Sequence, residues 1–198
     1  HKHFQDSIHD LILNSKLLPQ KKYTYSDLGF VLLKDIVEEQ SATPFDVYCR
    51  KHFFKRLGAY NTDFNAHFNL DMKRVVPAND IFRKSQLHGY VHDPIAALMG
   101  GVSGNAGLFS TAEDLAKIMS VYLNRGTYGG EHLIDSTTID LFTQTQLPLD
   151  QNRRGLGFDK PETLPNKSGP TCKEAPCSSY GHTGFTGAIA WNDPDNQL

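Results

Sequence analysis

The 198-residue chain lacks a charge excess: 20 Lys and Arg stand against 22 Asp and Glu, a formal net charge of -2. That balance offers no electrostatic footprint for nucleic acid or an anionic membrane surface, so neither is expected as a partner. Long apolar runs are missing too, and no segment reads as a bilayer-spanning helix. Cysteine is scarce and odd in number: Cys49, Cys172 and Cys177. A zinc site needs further ligands close by, and the sequence does not supply them, so no metal or other cofactor is expected. Cys172 and Cys177 share a Pro- and Ser-rich loop and would form a local disulfide only in an oxidising compartment. Cys49 falls on a predicted buried helix face, where a thiol behaves as a small hydrophobe. No internal repeat or linker appears, which leaves residues 1–198 as one domain. At 39% hydrophobic and 21% charged, the composition is that of an ordinary globular protein.

Helical periodicity places a helix over Phe4, Ile8, Leu11 and Ile12, with His1, His3 and His9 read as surface residues. After Lys21-Lys22-Tyr23-Thr24-Tyr25, Ser26 or Asp27 caps a second helix, with Leu28, Val31, Leu32 and Ile36 expected on its core face. Tyr25 stands just outside that N-terminus, where free N–H groups favour a phenol or an anion. Thr43-Pro44 opens a third helix with Thr43 as N-cap; Phe45, Tyr48, Cys49 and Phe53 point inward, and Arg50, Lys51, Lys55 and Arg56 form a solvated basic end. Residues 59–98 show no sustained period. His88 and His92 are spaced like two ligands on a helix, but Gly89 and Pro94 argue against a helix there. The run Gly100 to Gly107 fits neither phosphate-loop spacing and reads as close packing. Ser110 and Glu113 form a capping box for a helix through Leu123, Gly129-Gly130 is a turn, and Asp135-Ser136 caps a further helix. Gly155 to Phe158 is expected as a short strand.

The densest chemistry lies in Ser179-Tyr180-Gly181-His182-Thr183-Gly184-Phe185-Thr186-Gly187, followed by the strand-like Ala188 to Trp191. Glycine in a strand lets a ligand or another backbone approach, and His182-Thr183 sets polar groups beside that space. A turn at residues 192–196 leaves only Gln197 and Leu198 for a returning strand. The chain is therefore expected to be a fragment of an incomplete sheet.

Tyr25-Ser26-Asp27 at a helix entrance and His182-Thr183-Gly184 on a late strand together resemble the serine β-lactamase and penicillin-recognising superfamily. The likeness is to its class C-like branch, which includes esterases and D-amino-acid peptidases. His92-Asp93-Pro94, Gly100-Gly101, Ala106 through Ser110 and Asp114-Leu115-Ala116 extend it over nearly the whole chain. That branch carries Ser-x-x-Lys, Tyr-x-Asn and Lys-Thr-Gly motifs, the last sometimes His-Thr-Gly. The resemblance implies an α+β, β-lactamase/transpeptidase-like fold, a helical lobe beside an antiparallel sheet. It implies catalytic roles for Tyr25, Asp27 and His182, and substrate contacts for Thr183, Gly184, Phe185 and His92. The Phe185 N–H, next along the strand, would be an oxyanion donor. Asp27 replaces the motif asparagine and His182 the motif lysine, so a carboxylate–imidazolium pair is expected. The implied partner is a β-lactam, a peptidoglycan peptide or an ester, in the periplasm or secreted. No Ser-x-x-Lys occurs in these residues, so the nucleophile segment and the last strands are expected to be missing and the fragment inactive. The alternative is a non-catalytic penicillin-recognising or appended binding module.

Overall fold

The computed structural model describes residues 2–19, 23–148 and 152–198. His1, Lys21 and Lys22 lie outside them, as does the side chain of His3. The chain divides between Asp114 and Leu115 into two compact units, each described by itself below.

The first unit opens with α1 (Lys2–Leu13) and α2 (Leu28–Ser41). The core face of α2 differs from the expected one. Val31 and Lys34 are buried, while Ile36 is 54% exposed. Gly104 explains the choice of face: a Cβ there would stand 1.9 Å from the Phe30 carbonyl oxygen and 3.2 Å from Lys34 Cβ. The glycine run thus packs directly on the α2 backbone, as a close-packing loop should. Buried Lys34 pairs with Glu38, whose Oε2 lies 2.6 Å from Nζ, and Glu38 Oε1 accepts from Phe45 N at 2.7 Å. That carboxylate serves the first turn of α3 (Phe45–Cys49), for which Pro44, not Thr43, is the N-cap residue.

A π-helical turn, Arg50–Phe54, continues α3, and Gly58 closes the segment at φ 64°. Arg50 is not merely a solvated helix-end charge: Nε and Nη2 each donate at 2.9 Å to the carboxylate of buried Asp63. Asp63 lies on β1 (Asp63–Phe64), which pairs antiparallel with β4 (Leu108–Phe109). Between them come α4 (Ala66–Asn69), the hairpin β2 (Ala78–Asp80) with β3 (Ser85–Leu87), and α5 (Pro94–Leu98). Phe54, Leu57, Phe64, Ala66, Ala96 and Met99 fill the unit's core.

The division falls inside α6 (Ala112–Leu123). Its capping residue is Thr111, whose Oγ1 accepts from Asp114 N at 3.2 Å. The cap thus falls one residue later than the expected Ser110. Ser110 instead shares a 2.7 Å bond with Thr62 Oγ1, and the Asp114 carboxylate accepts from Asn61 N.

In the second unit, β5 (Thr127–Tyr128) and β6 (Glu131–His132) meet across Gly129-Gly130, both at positive φ as a two-residue hairpin turn requires. After α7 (Ser136–Thr143) comes the hairpin of β7 (Tyr180–Thr183) and β8 (Ile189–Asn192), with Gly181 opposite Trp191 and His182 opposite Ala190. Gly155 to Phe158 is not a strand. It folds into a loop closed by Gly155 N to Phe158 O at 3.1 Å, with Gly157 at φ 81°. The strand contact falls one residue later, where Asp159 and Gly181 exchange both backbone bonds. Helices and small antiparallel sheets in succession make the architecture α+β.

Candidate active site

Tyr25, Asp27 and His92 belong to the first unit. Tyr25 is half exposed, two residues ahead of the N-cap of α2. At that cap the work is split: Asp27 O accepts from Phe30 N at 3.0 Å, while the Ser26 hydroxyl accepts from Leu28 N at 3.3 Å. The Asp27 side chain makes no capping bond, so its carboxylate stands at the positive end of the helix without serving the backbone there. His92 Nε2 meets Asn79 O at 3.3 Å, and Arg83 Nη1 donates to His92 O at 3.2 Å while pairing with buried Asp80 at 2.8 Å. The Arg83 backbone N–H is the main cause that lowers the Asp80 carboxyl from its ordinary range. Asp93 Oδ1 then caps α5 at Ala96 N, 2.7 Å away. His88 bonds Val75 O at 2.9 Å, so both histidines tie loop backbone together. Among the described residues no group of three or more His, Cys, Asp or Glu is placed to hold a metal.

His182, Thr183, Gly184 and Phe185 belong to the second unit. A Cβ at Gly181 would fall 2.2 Å from Ala190 O and 2.6 Å from the Trp191 ring, so only glycine lets β7 and β8 close at that register. Below the strand lies an aromatic floor in which Phe158 packs edge-on against both Tyr180, at 5.2 Å, and Tyr122, at 5.1 Å. Burial raises both tyrosine pKa values. Lys160 is buried beside them, its Nζ donating to Thr143 O at 3.0 Å and Ser179 O at 3.2 Å; desolvation lowers its pKa. Phe158 and Lys160 thus pack on Tyr180, two residues before His182 on the same strand.

The strand ends at Thr183. Gly184 N donates to Ala188 O at 2.6 Å, and Phe185 sits in the connecting turn, 92% exposed. Phe185 is therefore a turn residue rather than the next residue of the strand, because the four residues from Gly184 to Gly187 make the reversal. Within this unit Arg154 Nη1 donates to His182 Nε2 at 3.0 Å, a contact the sequence reading did not include. Arg154 is itself fixed, with Nη2 donating to Asp159 Oδ2 at 2.8 Å. Asp159 also accepts from Arg153 Nη2 at 2.9 Å and from Lys160 N at 2.8 Å. Sequence reasoning passed over this cluster as loop. The one available signal was the Arg153-Arg154 pair directly before Gly155-Leu156-Gly157.

The exposed Cys172 and Cys177 are free thiols. Cys49 is half-buried, and its pKa is pushed up to about 12, by burial first and then by Asp46 and Asp63. No helix among the described residues is long and apolar enough to cross a membrane.

A helix entrance bearing Tyr25 and Asp27 and a hairpin bearing His182-Thr183-Gly184, in an α+β frame, define a β-lactamase/transpeptidase-like fold. Solved structures agree. A penicillin-binding protein homologue from Caulobacter crescentus superposes with a TM-score of 0.66 at 21% identity, covering 98% of this chain and 56% of its own. An octameric penicillin-binding protein homologue from Pyrococcus abyssi gives 0.64 at 17% identity, over 98% and 42%. The family model described as Beta-lactamase matches residues 2–198, and the chain belongs to that family. It is 36% identical to an N-acetylmuramyl-L-alanine amidase of Bacillus subtilis (strain 168), over 89% of this chain and 43% of the relative. It is 34% identical to a putative D-alanyl-D-alanine carboxypeptidase of Escherichia coli (strain K12), over 91% and 44%. The chain thus spans less than half the length of these curated relatives.

Proposed function

We propose that this chain supplies the tyrosine-motif and His-Thr-Gly parts of a single catalytic domain, that of a serine hydrolase opening amide or ester bonds through an acyl-enzyme. The observation that carries the reading is the His182-Thr183-Gly184 hairpin, with aromatic packing on Tyr180 of the same strand and the Arg154–Asp159 cluster against its imidazole. The names of the relatives favour an amide substrate, such as a peptide ending in D-alanine; a periplasmic or secreted setting follows from the family resemblance alone. β-Lactams and small esters share the carbonyl chemistry.

In this mechanism a Ser-x-x-Lys motif, absent from these 198 residues, provides the nucleophile. Serine Oγ bonds to the carbonyl carbon; the C–N or C–O bond breaks, and the leaving group takes up the proton that serine gave up. Water then adds to the acyl carbon, the bond from that carbon to serine Oγ breaks to release the acid, and a proton from the water restores the serine hydroxyl. Tyr25 moves the serine proton, with Asp27 beside it contacting substrate. His182, Thr183 and Gly184 line the substrate channel, His92 contacts the substrate, and the Phe185 N–H stabilises the developing oxyanion.

The test compares the 198-residue chain with a polypeptide that joins it to a Ser-x-x-Lys-bearing segment. The joined protein should hydrolyse a D-alanyl-D-alanine peptide, a chromogenic cephalosporin or a short-chain ester, and the chain alone should not. Turnover by the chain alone, or none by the joined protein, overturns the reading. The rival reading is a non-catalytic penicillin-recognising module; β-lactam binding without acylation would identify it.

A further inference from the structure

We infer that Arg154 is a positioning residue for His182: it fixes the tautomer of the ring and carries the positive charge at the His-Thr-Gly strand. The inference rests on the active-site reading above, but its geometry stands on the second unit alone.

The hydrogen bonds determine the ring's protons. A guanidinium only donates, so at 3.0 Å from Arg154 Nη1 the His182 Nε2 is an acceptor. A backbone carbonyl only accepts, so at 2.8 Å from Thr183 O the His182 Nδ1 carries the hydrogen. The two contacts agree on one form, a neutral imidazole protonated at Nδ1. The Nε2 lone pair is engaged by Arg154. The cation of this strand is then the guanidinium, held behind the ring rather than on it.

Arg154 is built into this place. Its second nitrogen donates to Asp159 Oδ2 at 2.8 Å, and Asp159 is tied to the same strand by backbone bonds to Gly181 in both directions. Asp159 is locked further by Arg153 and Lys160 N. The chain of contacts runs from the strand at Gly181, through Asp159 and Arg154, back to the strand at His182. Arg154 is therefore tied to the motif strand at two points, directly at His182 and through Asp159 at Gly181. A substrate carboxylate or a developing oxyanion at that strand would meet the field of Arg154 through the neutral ring.

Two measurements test this. Long-range 15N–1H spectra of the 198-residue chain should show the His182 ring protonated at Nδ1 and bare at Nε2. R154A should redistribute the tautomers, and R154K, which still donates a charged hydrogen bond, should keep the original form. R154A leaves Asp159 its bonds to Arg153 and Lys160 N, so the variant retains the support of the hairpin. A ring protonated at Nε2 in the unmodified chain, or spectra unchanged by R154A, overturns the proposal.

In the joined hydrolase, R154A should lower kcat roughly 10- to 100-fold, the loss of one charge-assisted bond acting in the transition state. H182K alone places two cations in contact and should also lose activity. The double variant H182K/R154A, with the charge now on the strand itself, should be more active than either single variant. A double variant no better than R154A overturns the charge role. If the joined hydrolase shows no acylation while R154A still moves the tautomer, the active-site reading has failed and the positioning of His182 has not.

Discussion

Asp159→Ala is the perturbation whose cost follows most directly from the structure. The Asp159 side chain is 5% exposed, and its carboxylate is shared by Arg153, Arg154 and the Lys160 backbone N–H at 2.8–2.9 Å. Removing one partner of a buried ion pair costs about 3–5 kcal/mol, because the remaining charge stays desolvated without compensation. Here the two guanidinium side chains retain 25% and 20% exposure, so water recovers part of the loss, and about 3 kcal/mol is expected. Asn keeps one acceptor and the volume but not the charge, so Asp159→Asn should cost roughly half as much. Trp191 is the one tryptophan of the chain and lies opposite Gly181 on β8, so its fluorescence follows this unit. With a urea slope of about 2 kcal/mol per molar, a 3 kcal/mol loss lowers the midpoint by roughly 1.5 M. A midpoint unchanged by Asp159→Ala would mean that the cluster is solvated and does not hold the His182 strand.

Three further outcomes follow from other parts of the molecule. Cys49, with its pKa pushed up to about 12, should react with a disulfide reagent at pH 8 on the order of a thousandfold more slowly than an ordinary thiol; three equally fast thiols per chain would contradict this. Gly104→Ala must displace either the loop or the α2 backbone, since its Cβ falls 1.9 Å from Phe30 O, and it should cost at least about 2 kcal/mol; a neutral substitution would show that the loop does not pack on α2. Burial lowers the Lys160 pKa, so between that value and the unfolded value of about 10.4 the unfolded chain binds more protons. The stability of the unmodified chain relative to Lys160→Met should therefore rise with pH through that window. Tyr122 and Tyr180, raised by burial, act in the opposite sense only above about pH 10 and cancel in the difference. A flat difference would refute desolvation of Lys160.

Local signals in the sequence carried far, and their limits are physical. The Gly129-Gly130 turn, the helix over residues 28–41 and the strands around His182 and Trp191 were readable because period, caps and turn residues are short-range. The face of α2 was not: Leu28, Val31, Leu32 and Ile36 fit one apolar stripe, yet Lys34 is buried because Gly104 brings a distant loop onto that side. Arg50 looked like a helix-end charge because its partner, Asp63, lies 13 residues ahead on a strand. The same holds at the site. His182 could be singled out from its own neighbours, but Arg154 lies 28 residues earlier and reaches it only through the bridge of Asp159 to Gly181. Phe185 was misplaced by one element, since a glycine-rich run does not reveal where a strand ends and its turn begins. In each case the missing information is register, which long-range pairing sets.

The central claim, that this chain belongs to an acyl-enzyme-forming serine hydrolase, is tested most directly by intact-mass spectrometry. The joined protein, carrying a Ser-x-x-Lys segment and these 198 residues, would be incubated with a slowly hydrolysed β-lactam. A mass increase of one intact β-lactam is expected, lost when the motif serine is replaced by alanine and diminished by His182→Ala. A protein that binds the β-lactam with no covalent increment, or an adduct that survives replacement of that serine, would contradict it.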